Sequence, residues 1–307
     1  MNRRYEGPVI DPHHHLWDLS LNRHPWLKKA RGTGGEMIFG SLTPILRDYG
    51  VEEYRRDVAN QNIVASVHVE AGWSDDHPLD ETRWLDSLDR STGVARRYVA
   101  RVPLDSPDAS RLIAAEAENP NVIGVRDIVS WHPDPVKSFA PRANRMSDTV
   151  WREGLRHLSR HGLVFDLMLY PWQMEEALSL VRDFPETLFV VNHGGSPADR
   201  SKNGMALWRD GLRALGGQQN VRLKISDLVA YDNKWTFESL SKVIHHCIEC
   251  FGANRAMFAS DFPVAGLHGS LDEIYEVFRK AAEPFSLEDQ RALFFSTANE
   301  TYRLGLE

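Results

Sequence analysis

Eight short runs rich in apolar and β-branched residues recur along the chain, at 9–15, 63–70, 97–104, 122–129, 164–170, 188–193, 221–228 and 256–261. Several are apolar on both faces, the pattern of strands enclosed between a barrel interior and outer helices. Helical periodicity lies between most of them, at 80–88, 109–118, 148–160, 172–184, 205–215, 237–251 and 271–282. The fourth-from-last strand is preceded by a helix that stops at Gly162, and Ser270 with Glu273 three residues on forms a capping box for the helix at 271–282. Ser286 and Asp289 mark a final, weaker helix. Eight strands alternating with helices predict an α/β fold of the (β/α)8 TIM-barrel type, one domain over residues 1–307. The rival, an open doubly wound sheet, needs a glycine-rich phosphate loop after its first strand, and the sequence has none there. Residues 18–50 interrupt the rhythm as a long first strand-to-helix loop over the barrel mouth, where Trp17, Trp26 and Tyr49 either line a pocket or pack the loop down.

Composition narrows the function. Hydrophobic residues make up 42% of the 307 and charged residues 26%, ordinary globular usage. A formal net charge of −7 argues against non-specific binding to nucleic acid or to an anionic membrane surface. Residues 1–7 lack the apolar core of a signal peptide, and no apolar run is long enough to span a bilayer. Two cysteines without a secretory signal fit a reducing cytoplasm.

The chemistry concentrates where the runs end, which in a barrel is the face that carries active sites. The first run ends in Asp11-Pro12-His13-His14-His15. Strict alternation points His13 and His15 to one face with Asp11 behind them and turns His14 away, giving half of a metal or proton-transfer site. Pro12 removes a ladder donor and predicts a distortion that helps aim His13. The second run ends in His68 and Glu70, two apart and so on one face; the fourth in Arg126 and Asp127; the fifth carries Asp166 and Tyr170; the sixth ends at His193-Gly194-Gly195; the seventh carries Lys224 and Ser226; the eighth ends at Asp261. Arg126 reads as an anion or carbonyl clamp, because its planar fork suits carboxylates. Arg126 and Lys224 also admit internal ion pairs with Glu70 or Asp166, and His193 admits a packing or capping role. Cys247 and Cys250 fall three apart on one predicted helix and read as packing residues rather than a metal or redox pair. His132 lies in a loop beyond Arg126.

The segments Ile10 to Trp17, Gly124-Val125-Arg126, Val191-Asn192-His193-Gly194-Gly195 and Phe258 to Pro263 together resemble the amidohydrolase superfamily. The closer likeness is to its lactonase branch, which includes 2-pyrone-4,6-dicarboxylate lactonase and sugar-acid lactonases. The resemblance implies a barrel and hydrolysis at a carbonyl. It maps metal ligands onto His13, His15 and Asp261, with His193 as a further ligand or substrate partner, and suggests Arg126 as a substrate contact. The fifth run has no histidine and the fourth no bridging lysine, so one divalent ion, Zn2+ or Mn2+, is the expectation, with metal-independent catalysis as the other route. In the resulting picture Asp261 and His193 are catalytic and a small-molecule lactone is the substrate. Arg126, His68, Glu70, Tyr170, Lys224 and Trp17 are the candidate substrate contacts. The alternatives are an aromatic-acid decarboxylase on the same barrel and a non-catalytic sugar- or acid-binding protein; a homo-oligomer stays open. The scheme requires the carboxyl of residue 261 to lie within about 10 Å of the imidazoles of residues 13 and 15, since a positioned base needs hydrogen-bond reach.

Overall fold

A computed structural model describes residues 4–28, 36–37 and 40–307. Its strands β1 (Val9–His14), β2 (Ile63–Val69), β3 (Arg97–Arg101), β4 (Val122–Arg126), β5 (Val164–Leu167), β6 (Phe189–Val191), β7 (Val221–Ile225) and β8 (Ala256–Phe258) lie side by side in chain order. Every pairing between them is parallel. The ring is nearly closed by the segment just past β8, where Asp261 N–H donates to His13 O at 2.8 Å and His15 N–H donates to Phe262 O at 2.8 Å. The strands fall on the eight predicted runs but stop earlier, because the polar residues at the end of each run have already left the ladder.

Helices α1 (Val51–Asp57), α2 (Asp80–Ser87), α3 (Ala109–Ala117), α4 (Thr149–Arg160), α5 (Met174–Asp183), α6 (Lys202–Gly216), α7 (Phe237–Phe251) and α8 (Leu271–Ala282) alternate with the strands. Sequence periodicity does not predict α1, whose 7 residues are too few to show an apolar stripe. The capping box before α8 forms: Ser270 Oγ accepts from Glu273 N–H while the Glu273 carboxylate accepts from Ser270 N–H. No helix of the described residues is long and apolar enough to cross a membrane.

Side-chain alternation along each strand builds two apolar layers. Ile10, Val67, Val99, Val164, Val190 and Met257 fill the barrel interior. Phe165, Phe189, Leu223 and Ile225 face outward and pack with Leu155, Leu180 and Ile244 of the surrounding helices. Full burial of each such side chain contributes about 1.5–3 kcal/mol. The C-terminal segment plugs the N-terminal end of the barrel. Tyr302 joins the interior layer, and Arg96, just before β3, donates to Leu304 O at 3.0 Å.

The distortion expected at Pro12 is present as a shift in the β1–β2 register between Asp11 and His14. It corrects one expectation. Asp11 does not share a face with His13 and His15: its carboxylate accepts from Tyr54 Oη on α1 at 2.8 Å and from Ser260 N–H at 2.8 Å, outside the barrel wall. The extra residue in the irregular stretch resets the phase, so the two histidines turn inward where strict alternation from Asp11 would have grouped all three.

Candidate active site

Four strand ends deliver the central cluster. His13 and His15 come from β1, His193 from the turn after β6, Asp227 from the turn after β7 and Asp261 from the segment after β8. Asp261 Oδ1 lies 3.0 Å from His13 Nε2 and 3.2 Å from His15 Nε2. Asp261 Oδ1 is thus close to both imidazole nitrogens, and His13 Nε2 makes no hydrogen bond among the described residues. The rings of His13 and His193 are 4.8 Å apart. All of these residues are buried.

His193, Asp227 and Asp261 hold φ values of +53°, +49° and +59°. Non-glycine residues in this left-handed region cost roughly 1–3 kcal/mol each and persist where the surroundings over-determine them. Here each sits where a strand stops, and backbone bonds hold it. Asn192 N–H donates to Leu167 O at 3.0 Å, Ala230 N–H to Asp227 O at 3.2 Å, and Asp261 N–H to His13 O. The left-handed turns swing the next side chain back over the barrel mouth. After His193 the turn continues through Gly194 and Gly195, whose φ values of +59° and +73° lie in the left-handed region that favours glycine.

The imidazoles are oriented from behind. His15 Nδ1 sits 2.7 Å from Val69 O, an acceptor, so Nδ1 carries the proton and Nε2 presents a lone pair toward Asp261. Ser226 Oγ is 3.0 Å from His193 Nδ1. Burial lowers His193 to about 4, more than the nearby Asp261 charge raises it, so the imidazole is neutral at working pH. Burial pushes the Asp261 carboxyl up, but the surrounding imidazoles of His193, His13 and His15 outweigh it and hold the group as a carboxylate. Asp227 goes the other way: burial, reinforced by the Asp261 charge, raises it well above the usual carboxylate range. Its Oδ1 is buried without a hydrogen-bond partner among the described residues.

Two groups have the donor chemistry for one divalent ion: His13, His15 and Asp261, and His193, Asp227 and Asp261, the potential ligand atoms in each lying within 4.8 Å of one another. The lone pair of His15 Nε2 facing a carboxylate oxygen, and the unpartnered Asp227 Oδ1, both fit a cation between them.

A cavity of about 350 Å³ opens above this cluster. His15, His193, Asp227 and Asp261 form its floor, Glu70, Arg101 and Arg126 one polar side, and Trp26, Trp73, Phe139 and Met168 apolar walls. Arg126 Nε donates to Glu70 Oε1 at 2.7 Å and its Nη2 to Glu70 O at 2.7 Å. Trp26 Nε1 donates to Ala71 O at 2.8 Å, docking the first loop onto the β2–α2 loop. Gly72 (φ +69°) permits this, since a Cβ there would lie 2.8 Å from Trp26 Cδ1.

The structure places the remaining sequence candidates elsewhere. Trp17 and Tyr49 pack the loop down: Trp17 Nε1 donates to Arg47 O at 2.7 Å and Tyr49 Oη to Asp57 at 2.6 Å. His68 does not share a face with Glu70. It lies behind the wall, where Nδ1 accepts from Leu16 N–H at 3.2 Å and Nε2 meets Glu81 Oε1 at 3.2 Å; β2 ends at Val69, so alternation no longer governs Glu70. The Tyr170 hydroxyl donates to Lys137 O at 2.6 Å outside the cavity lining. His132 packs against Tyr170 and Trp172. Lys224 lies beneath the floor, its Nζ 2.5 Å from Asp166 Oδ2 and 3.4 Å from His13 Nδ1. Cys247 is buried within α7 and Cys250 contacts His246 one turn back, as packing predicts. Sequence reasoning missed Asp227, Arg101 and Trp73. The available signal was their place at or just past a strand end.

Known proteins are similar to this chain along nearly its whole length. An uncharacterised protein, y4mH, of Sinorhizobium fredii is 36% identical over 296 residues, covering 96% of this chain and 98% of its own. An L-fucono-1,5-lactonase of Burkholderia multivorans is 26% identical over 307 aligned positions, covering 96% of each. A crystal structure of an amidohydrolase from Burkholderia multivorans with bound zinc superposes with a TM-score of 0.80 at 25% identity, covering 97% of this chain and 99% of that one. Decarboxylase structures share the fold as well. The amidohydrolase family model Amidohydro_2 matches residues 10–304, a span that takes in every residue of the cluster, and the chain belongs to that family.

Proposed function

We propose that the protein opens a lactone ring, of the sugar-acid or pyrone and muconolactone type, by attack of water on the ester carbonyl. The observation that carries this reading is the Asp261 carboxylate, in contact with His13 and His15 on the floor of a cavity whose side presents Arg126. The L-fucono-1,5-lactonase relatives support it.

A lactone seated with its carbonyl over the floor places its acyl carbon next to a water held by Asp261. Asp261 takes one proton of that water as the oxygen attacks. Arg126 lines the cavity, and its Nη1, which carries no hydrogen bond among the described residues, stabilises the negative charge developing on the carbonyl oxygen. Collapse of the tetrahedral adduct breaks the ring C–O bond. Asp261 returns its proton to the leaving oxygen, and the product is a ring-opened hydroxy or keto acid. Asp227, its carboxyl raised by burial and by the Asp261 charge, lies beside Asp261, and neutral His193 orients the bound ring. His13, His15 and Asp261, with His193 and Asp227 adjacent, would hold a single Zn2+ or Mn2+, which when bound lowers the pKa of a water to roughly 7. Without it, Asp261 serves as the general base directly.

The test is a lactone panel offered beside a hydroxybenzoate, in weak buffer with a pH indicator, on protein of measured metal content. Ring opening acidifies the solution. Proton uptake with release of CO2 from the aromatic acid identifies a decarboxylase instead.

A further inference from the structure

Arg101 and Arg126 are lateral partners at the ends of β3 and β4, so their guanidinium groups enter the cavity side by side. Two adjacent arginines at a cavity wall would ordinarily read as a carboxylate clamp. Here each is already matched. Arg126 is locked to Glu70, and both members of that pair are buried. Arg101 Nε donates to Asp75 Oδ1 at 2.7 Å. Asp75 comes from the β2–α2 loop that also carries Trp73, and that loop is pinned to the first loop through Ser74 N–H donating to Arg23 O at 2.8 Å. Asp75 and Arg101 both line the cavity, so their pair stands where an incoming ring would place its substituents. Burial lowers the Arg101 guanidinium, but Glu70 and Asp75 outweigh it and keep the group charged.

The charge balance of the wall follows. Glu70, Asp75, Asp227 and Asp261 bring carboxyl groups to the cavity, and Arg101 and Arg126 bring two cations, paired with Asp75 and Glu70. A lactone bearing its own carboxylate must displace Asp75 from Arg101 or lie against unmatched negative charge. The side chain of Asp75 is 60% exposed and that of Arg101 23%, so the pair is open to solvent at one end and breakable in a way that the Arg126–Glu70 pair is not.

Building on the lactonase reading, we propose that Asp75 is a specificity-determining residue: by occupying Arg101 it tunes the cavity to uncharged lactones and excludes carboxylate-bearing ones. The ring of such a substrate lies against the indoles of Trp26 and Trp73, and its hydroxyl or alkyl arm approaches the Arg101–Asp75 pair without a charge conflict. Asp75→Asn keeps an oxygen acceptor for Arg101 and removes the charge, which frees the guanidinium for an anion.

The experiment uses matched ring pairs, identical except that one member ends in CH2OH and the other in a carboxylate, such as glucono-1,4-lactone and glucaro-1,4-lactone. Turnover is measured with the lactones, and binding with the corresponding lactams by quenching of tryptophan fluorescence. The wild type is expected to favour the uncharged member by roughly tenfold or more, the size of one partly screened charge contact. Asp75→Asn is expected to narrow that ratio to near unity by gaining affinity for the charged member. Equal or tighter binding of the carboxylate member by the wild type, or an unchanged ratio in Asp75→Asn, overturns the inference. Selective lactam binding without opening of any lactone refutes the lactonase reading while supporting the charge selection.

Discussion

Asp261 meets His13 twice: its backbone N–H donates to His13 O at 2.8 Å and its carboxylate oxygen lies 3.0 Å from His13 Nε2. The first contact closes the barrel and the second belongs to the candidate site, so the seam of the fold and the chemistry share one pair of residues. The left-handed backbone of Asp261 makes both contacts available at once.

The Arg126–Glu70 pair is buried at both ends, and removing one partner strands a charge. Glu70→Ala should destabilise the fold by about 3–5 kcal/mol, read from denaturant unfolding. Glu70→Gln, which keeps one acceptor oxygen for either Arg126 or Gly72 N–H, should lose less than Glu70→Ala. Its catalytic defect should appear mainly in kcat, because Arg126 is then free to rotate away from the developing oxyanion.

Beneath the floor, Lys224 and Asp166 form a fully buried ion pair, with Tyr302 Oη donating to Asp166 Oδ1 at 2.8 Å and Asn192 Nδ2 to its Oδ2 at 3.0 Å. Burial lowers the Lys224 ammonium despite the support of Asp166. Lys224→Met alone should cost about 3–5 kcal/mol in unfolding free energy. Adding Asp166→Asn should recover part of that loss, because no unmatched charge then remains. Losses of the two single variants that simply add in the double variant would show that the pair is not coupled.

Glu81 on α2 gives the clearest pH signature. Burial, reinforced by Glu70, raises its carboxyl from 4.5 to about 7. The folded protein therefore binds this proton more tightly than the unfolded chain. The stabilisation is fully present below about pH 4.5 and is lost as pH rises through about 7. Glu81→Gln keeps the acceptor for Ala71 N–H, so it should flatten this component of the stability profile between those limits. A profile as steep in the variant as in the wild type would contradict the assignment.

What could be read from the sequence was whatever strand periodicity and polar strand ends encode. The eight runs, the inward pair His13 and His15, and the approach of Asp261 to them all follow from alternation and from barrel closure. The structure departs from the sequence reading where the backbone leaves the ladder. Alternation paired His68 with Glu70 and passed over Asp227, because a strand end at Val69 and a left-handed turn at Asp227 change which side the next residue faces. Arg126 and Lys224 look alike in sequence, each a lone cation in an apolar run. Only three-dimensional depth separates the one at the cavity wall from the one under its floor. Trp17 and Trp26 likewise needed coordinates, since a loop's aromatics line a pocket or pack its base according to where the chain turns.

The central claim is that Asp261 moves the proton in a hydrolytic ring opening, and the most direct measurement is turnover of an opened lactone by Asp261→Asn in H2(18)O, beside its melting temperature and substrate affinity. The account predicts 18O in the new carboxylate for the wild type. For the variant it predicts a fall in kcat of about a hundredfold or more with the fold and binding retained. Near-normal kcat in a folded Asp261→Asn variant, or product free of the label, would contradict it.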